Sequence, residues 1–448
     1  MEVWKKVTKY FKEEDVFDEK TINWPKKEKP TELDDKIDEL TNKYSPDARN
    51  ILQEMNKIAL TQSNEDPSNF CSAENPLTKY ILQKIVDLSA VSQQSDIKLN
   101  KNGIITWMIT DEHDETPFDK RKVIFYNGRI SSNIENNLNK SQEEVNSSIT
   151  TTSPKFRFEG IVSQIYSTKI LLETKHYGSL KGLIIVSICS LSSTVVAVAS
   201  QEIVGGRLPN CVVLTEGIDN KEATENEFKV YVGQLGHAQI NVEVVGQSCH
   251  GSMPTQGINP LECGSMIIAE ASEQAKLFPN HKFLGKGSRT CTSCKLDTPS
   301  DCAVPARYVF VFDRYFEVDE SEQLLTEELN DLRSVEIAKK RGCKISMNVD
   351  KLIHSWVTPL NNFSIKSLFI TIKKCQSEVP LKFEKFAIPI DDGFSLASNT
   401  ETEEKNYVEM KGVSHPPMFG FTTSENEIAK SIGLLSKYPS VFINHSPK

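Results

Sequence analysis

Residues 233–270 read GQLGHAQINVEVVGQSCHGSMPTQGINPLECGSMIIAE, and this stretch decides the fold. From Ala238 to Val245 apolar and polar residues alternate, the period of a strand with one buried face. Residues 228–231 alternate in the same way just before it. From Pro260 to about Leu277 the pattern becomes helical. Strand-like runs follow near 288–296 and 307–312, then a helical run over 320–340. The order β-β-α-β-β-α predicts a small two-layer α+β domain over residues 226–342.

On either side the texture is α/β. Residues 50–90 carry helical periodicity, strand-like runs lie at 103–110, 122–126 and 183–188, and helices are expected at 364–375 and 424–435. This predicts one α/β domain with a mostly parallel sheet, built from residues 46–225 and 343–448, with the smaller domain inserted. Residues 131–153 read as a polar loop. In residues 1–45, 22 of 45 are Asp, Glu, Lys or Arg, which reads as a charged extension. Trp4, Val7 and Phe11 make a short apolar stripe on it, suited either to its own domain or to docking a protein partner.

The chain has 448 residues and a formal net charge of −9, so its long-range field repels nucleic-acid phosphates and no nucleic-acid partner is expected. Ten cysteines are too few and too scattered for a disulfide scaffold. Cys291 and Cys294 form a lone C-x-x-C without a second ligand pair at finger spacing. Residues 183–200 are uncharged, but six of those 18 are Ser or Thr, which suits a buried strand better than a membrane span. The first residues lack the apolar core of a signal peptide, and their acidic residues argue against a presequence. An intracellular location, cytoplasmic or cytoskeletal, is the default expectation.

Gly246, His250, Ser252, Pro254, Gly257, Asn259 and Pro260 follow the spacing G-x-x-x-H-x-S-x-P-x-x-G-x-N. With FLGKG (283–287), TPSDCAVPA (298–306), FDRYFEVDES (312–321) and WVTPL (356–360), they resemble the di-zinc aminoacylase, deacetylase, desuccinylase and carboxypeptidase family of metallopeptidases. The resemblance implies a catalytic-type α/β domain carrying an inserted lid, or dimerisation, domain. It also implies two zinc ions that activate a bridging water and polarise the amide carbonyl.

The positions at which the family holds its metals differ here. Arg129 stands for the first histidine and Ser131 for the aspartate after it. Phe156 replaces the bridging aspartate, Ser192 and Ser193 the paired glutamates, and Lys430 the last histidine. Only Glu216 keeps a usable side chain, and a lone carboxylate does not hold a zinc pair. His250 matches the lid histidine that in the family reaches across the dimer; a turn-capping role is the alternative.

These losses lead to the expectation of a catalytically inactive, metallopeptidase-like pseudoenzyme without cofactor, serving as a structural or interaction subunit. Its partners would be proteins, in a homo- or heterodimer through the lid. Two alternatives stand beside it. One is a zinc-dependent amidohydrolase or dipeptidase with rearranged ligands; the other is a binder of a small anion in the former cleft, held by Arg129 and Lys430.

Overall fold

The computed structural model describes residues 14–61, 74–91, 96–99, 104–132, 156–178, 180, 182–189, 209–217, 228–317, 321–375, 381–386, 396–397, 408–410 and 413–445. Trp4, Val7, Phe11, Ser192 and Ser193 lie outside them. The large domain opens with α1 (Glu32–Thr61), which buries Ile37, Leu40, Ala48, Ile51, Leu52 and Met55 along one face. The helix runs straight through Pro46, across the boundary expected at residue 45. Proline has no N–H to give the Asn42 carbonyl, and the Ser45 hydroxyl donates to that oxygen instead, at 3.4 Å. Helix α2 (Pro76–Asp87) follows, capped by the Asn75 side chain.

The large sheet takes β1 (Ile97–Leu99), β2 (Ile105–Thr110), β3 (Val123–Arg129), β4 (Leu183–Cys189) and β5 (Cys211–Gly217) from the first segment. Helix α3 (Glu159–Glu173) lies between β3 and β4 in sequence and is buried along most of its length. β6 (Phe228–Gln234) ends the segment. After the inserted domain come β11 (Trp356–Val357), α7 (Phe363–Cys375), β12 (Leu381–Phe386), β13 (Met418–Thr423) and α8 (Ile428–His445). The strand order is β1-β2-β4-β3-β5-β13-β6-β11, with β12 also on β6. The centre, β4-β3-β5-β13, is parallel, as a sheet buried on both faces requires. Its strands accordingly read as continuous apolar runs; LIIVSIC over 183–189 is β4. No helix among the described residues is long and apolar enough to cross a membrane.

The inserted domain is a four-stranded antiparallel sheet, β8-β9-β7-β10, of β7 (Gly236–Val245), β8 (Ser288–Asp297), β9 (Arg307–Phe316) and β10 (Lys344–Ile353). Its helices are α4 (Pro260–Ala275), α5 (Glu322–Asn330) and α6 (Arg333–Lys340). Ala238, Ile240, Val242 and Val244 meet Phe310, Phe312, Leu325 and Val335 in a core separate from that of the large domain. Its limits differ from those expected. The strand at 228–234 alternates in burial but pairs with β13 in the large sheet, and the strand at 344–353 belongs to the insert. The chain therefore returns to the large domain between Ile353 and Trp356 rather than at 343.

Candidate functional site

The parallel strands β3, β5 and β13 end on one edge of the sheet, and α3 and α8 begin there. Such carboxyl edges are where open α/β sheets hold their ligands. A Cβ on Gly160 would lie 2.8 Å from the Thr215 carbonyl, so glycine lets the start of α3 come down onto β5. That approach drives the Glu159 carboxyl against Gly217, with Oε2 in the space a side chain there would need. Gln164, one turn further along α3, donates to Thr215 Oγ1 at 2.7 Å and fixes the crossing.

Glu159 is 1% exposed. Burial raises its carboxyl to about 7; backbone N–H groups and the Arg157 guanidinium pull the other way, and Glu425 adds to the rise. Arg157 Nη1 stands 3.7 Å from Oε1, and Oε2 has no hydrogen-bond donor among the described residues. A carboxyl held near neutrality can both take and give a proton at physiological pH.

Several positions singled out in the sequence reach this edge. Glu216 is the penultimate residue of β5 and half-buried, and Arg129 closes β3 opposite Cys189. Ser131 pairs in register with Arg157, next to Phe156. Lys430 is exposed: Ile428 is the buried residue of that helical turn, and two residues on is roughly 200° round it. His250 is exposed in the insert, where Nδ1 accepts from the Ser252 N–H at 3.2 Å and holds the turn.

No three His, Cys, Asp or Glu side chains gather as a metal site among the described residues. The edge offers carboxylates without imidazole, with a guanidinium beside the most buried of them. The described residues alone do not make up the donor set of the zinc pair that the resemblance implies, and no step below is routed through a metal. Glu159 itself escaped sequence reasoning, which looked for an aspartate at 156; its only mark was an acid directly before Gly160 at a helix start.

Residues 232–339 match the family described as a peptidase dimerisation domain. A protein of Escherichia coli named uncharacterized protein YgeY is 30% identical over 176 residues, 36% of this chain and 41% of YgeY. The match thus spans under half of that relative. The aminopeptidase PepT of Bacillus cereus superposes with a TM-score of 0.54 at 12% identity, covering 88% of this chain and 98% of PepT. A metallo-carboxypeptidase of Sulfolobus solfataricus gives 0.53 at 12% identity, covering 88% and 99%. At these identities the likeness establishes the fold, a peptidase-type α/β domain with an inserted dimerisation domain. It also corrects the expectation of a non-enzyme. These two solved chains are named as peptidases and the matched family is a peptidase dimerisation domain, so the comparisons point to an enzyme family.

Proposed function

We propose that the protein hydrolyses an amide bond, in the manner of the peptidases whose fold it shares, as a homodimer joined through the inserted domain. The observation that carries this reading is Glu159, a carboxyl poised near neutrality at the edge where β3, β5 and β13 converge. As carboxylate it removes a proton from water, and the water oxygen bonds to the amide carbon. The oxyanion forms beside the Arg157 guanidinium. The proton then passes from Glu159 to the amide nitrogen, the C–N bond breaks, and a carboxylate and an amine leave. With 1% of its surface exposed, Glu159 meets a substrate only in a more open form than this one.

The dimer reading is supported by the family match and by β8. This edge strand of the insert is exposed from Thr292 to Asp297, leaving its outer hydrogen-bonding groups for a second copy. The test is amine release from a panel of dipeptides and N-acyl amino acids, with and without added divalent metal ions. Turnover that falls about 10²–10⁴-fold in Glu159→Gln, with KM little changed, is the expected result. No release from any substrate sinks the hydrolase reading; full activity in the variant removes Glu159 from the reaction.

A further inference from the structure

We infer that residues 14–31 form an intramolecular strap clamping the inserted domain onto the large one. The segment begins on the insert. Phe17 stacks on Phe283 (centroids 5.4 Å apart) and meets the edge of His281 at 5.8 Å. Both belong to the small hairpin of Asn280–His281 with Gly285–Lys286, inside the matched dimerisation region. One residue earlier, the Val16 carbonyl accepts from the Leu360 N–H of the large domain at 3.0 Å. Seven residues beyond Phe17, Trp24 stacks against Phe369 of α7 (4.7 Å) and Phe383 of β12 (5.5 Å), both in the large domain. Its indole N–H donates to the Glu19 carbonyl at 2.9 Å, which folds the strap on itself. Glu28 then anchors the far end, 2.7 Å from His445 of α8 and 3.4 Å from Lys374 of α7.

The clamp has a mechanical meaning because the two domains share only two covalent connections, 234–236 and 353–356, lying side by side through the pairing of Trp356 with Gln234. Two adjacent connections make a hinge, and a hinge leaves a rigid insert free to swing. The hairpin's contacts resist that swing: Leu284 is fully buried and its carbonyl takes a hydrogen bond from Lys385 of β12. The strap locks the same hairpin from outside, at a point away from the hinge. Aromatic stacks at both ends make the attachment specific without a covalent bond. This inference concerns the attachment of the insert and stands whether or not the hydrolase reading does.

Hydrogen exchange on the full chain tests it, with Phe17→Ser and Trp24→Ser releasing opposite ends of the strap. Both variants should speed exchange on the order of tenfold in residues 280–286 and at Leu360, with the central strands β5 and β9 unchanged. Unchanged exchange in the hairpin in both variants overturns the strap. So does acceleration spread evenly over the chain, which would make the segment ordinary core.

Discussion

Replacing Glu159 with glutamine gives the sharpest check on the buried edge of the sheet. In the folded chain this carboxyl is raised from 4.5 to about 7, chiefly by burial. A carboxyl raised in this way keeps its proton in the folded state while the unfolded chain has already lost it. Stability therefore falls as pH rises from about 4.5 to about 7, and the whole cost is present above 7. At 1.36 kcal/mol per pH unit the displacement amounts to about 3 kcal/mol at pH 8, against about 1 kcal/mol at pH 5. Glutamine has the same shape and no charge to desolvate, so E159Q should gain about 2–3 kcal/mol relative to the parent on going from pH 5 to pH 8. With about 2.1 cal/mol/K of unfolding entropy per residue, 448 residues convert this to about 3 °C in Tm, and more if the large domain melts alone. Calorimetry of both proteins at the two pH values reads it directly. If the difference in Tm between them is the same at pH 5 and pH 8, the carboxyl is not carrying a desolvation cost and the reasoning fails.

Three further outcomes follow from the described geometry. His281 accepts from the Phe283 and Leu284 N–H groups through Nδ1, and burial lowers its pKa from 6.5 to about 4. The unfolded chain then takes up this proton first, so the imidazole costs stability as pH falls below about 6.5. The parent's urea midpoint should drop more steeply between pH 7 and 5 than that of His281→Asn, and equal slopes would count against it. Introducing like charges along β8, as Cys294→Lys with Leu296→Lys, should convert dimer to monomer by light scattering; an intact dimer would place the seam elsewhere. A Cβ on Gly236 runs into the Phe316 ring, which is fully buried, so Gly236→Ala should cost about 1–3 kcal/mol. An unchanged denaturation midpoint would show that the ring can move aside.

The inserted domain was legible because β7 and β9 alternate cleanly, and alternation survives in sequence whenever one face is buried. Its end was not, for a reason visible in β10. Ile345, Met347 and Val349 keep the alternation, then the register shifts between Val349 and Lys351 and the next packed apolar residue is Leu352. A bulge of one residue breaks a period-2 pattern. β6 was read correctly as a strand, but alternation says nothing about which sheet a strand joins. Helix α1 was cut at residue 45 because the charge density of residues 1–45 hid the buried face of its first turns, Ile37 and Leu40, and the Ser45 hydroxyl that carries the helix through Pro46 has no sequence signature. At the candidate site, position matching singled out Glu216 and Arg129 and passed over Glu159, which is marked by its burial against two glycines rather than by any motif.

The strand order also bears on how the chain is made. β13 sits between β5 and β6, and without it nothing in the strand order joins β6 to the rest of the large sheet. Yet β13 begins at residue 418, about 200 residues after β5 ends, which at synthesis rates of ~5–20 residues per second is roughly 10–40 s. The inserted domain, contiguous over residues 236–353, has all its strands during that interval and can close its own core. The large domain has to wait, with the apolar edge of β5 unpaired, until residues 418–423 have left the ribosome. Nascent chains stalled before residue 418 should therefore carry a folded insert on an open, chaperone-dependent sheet.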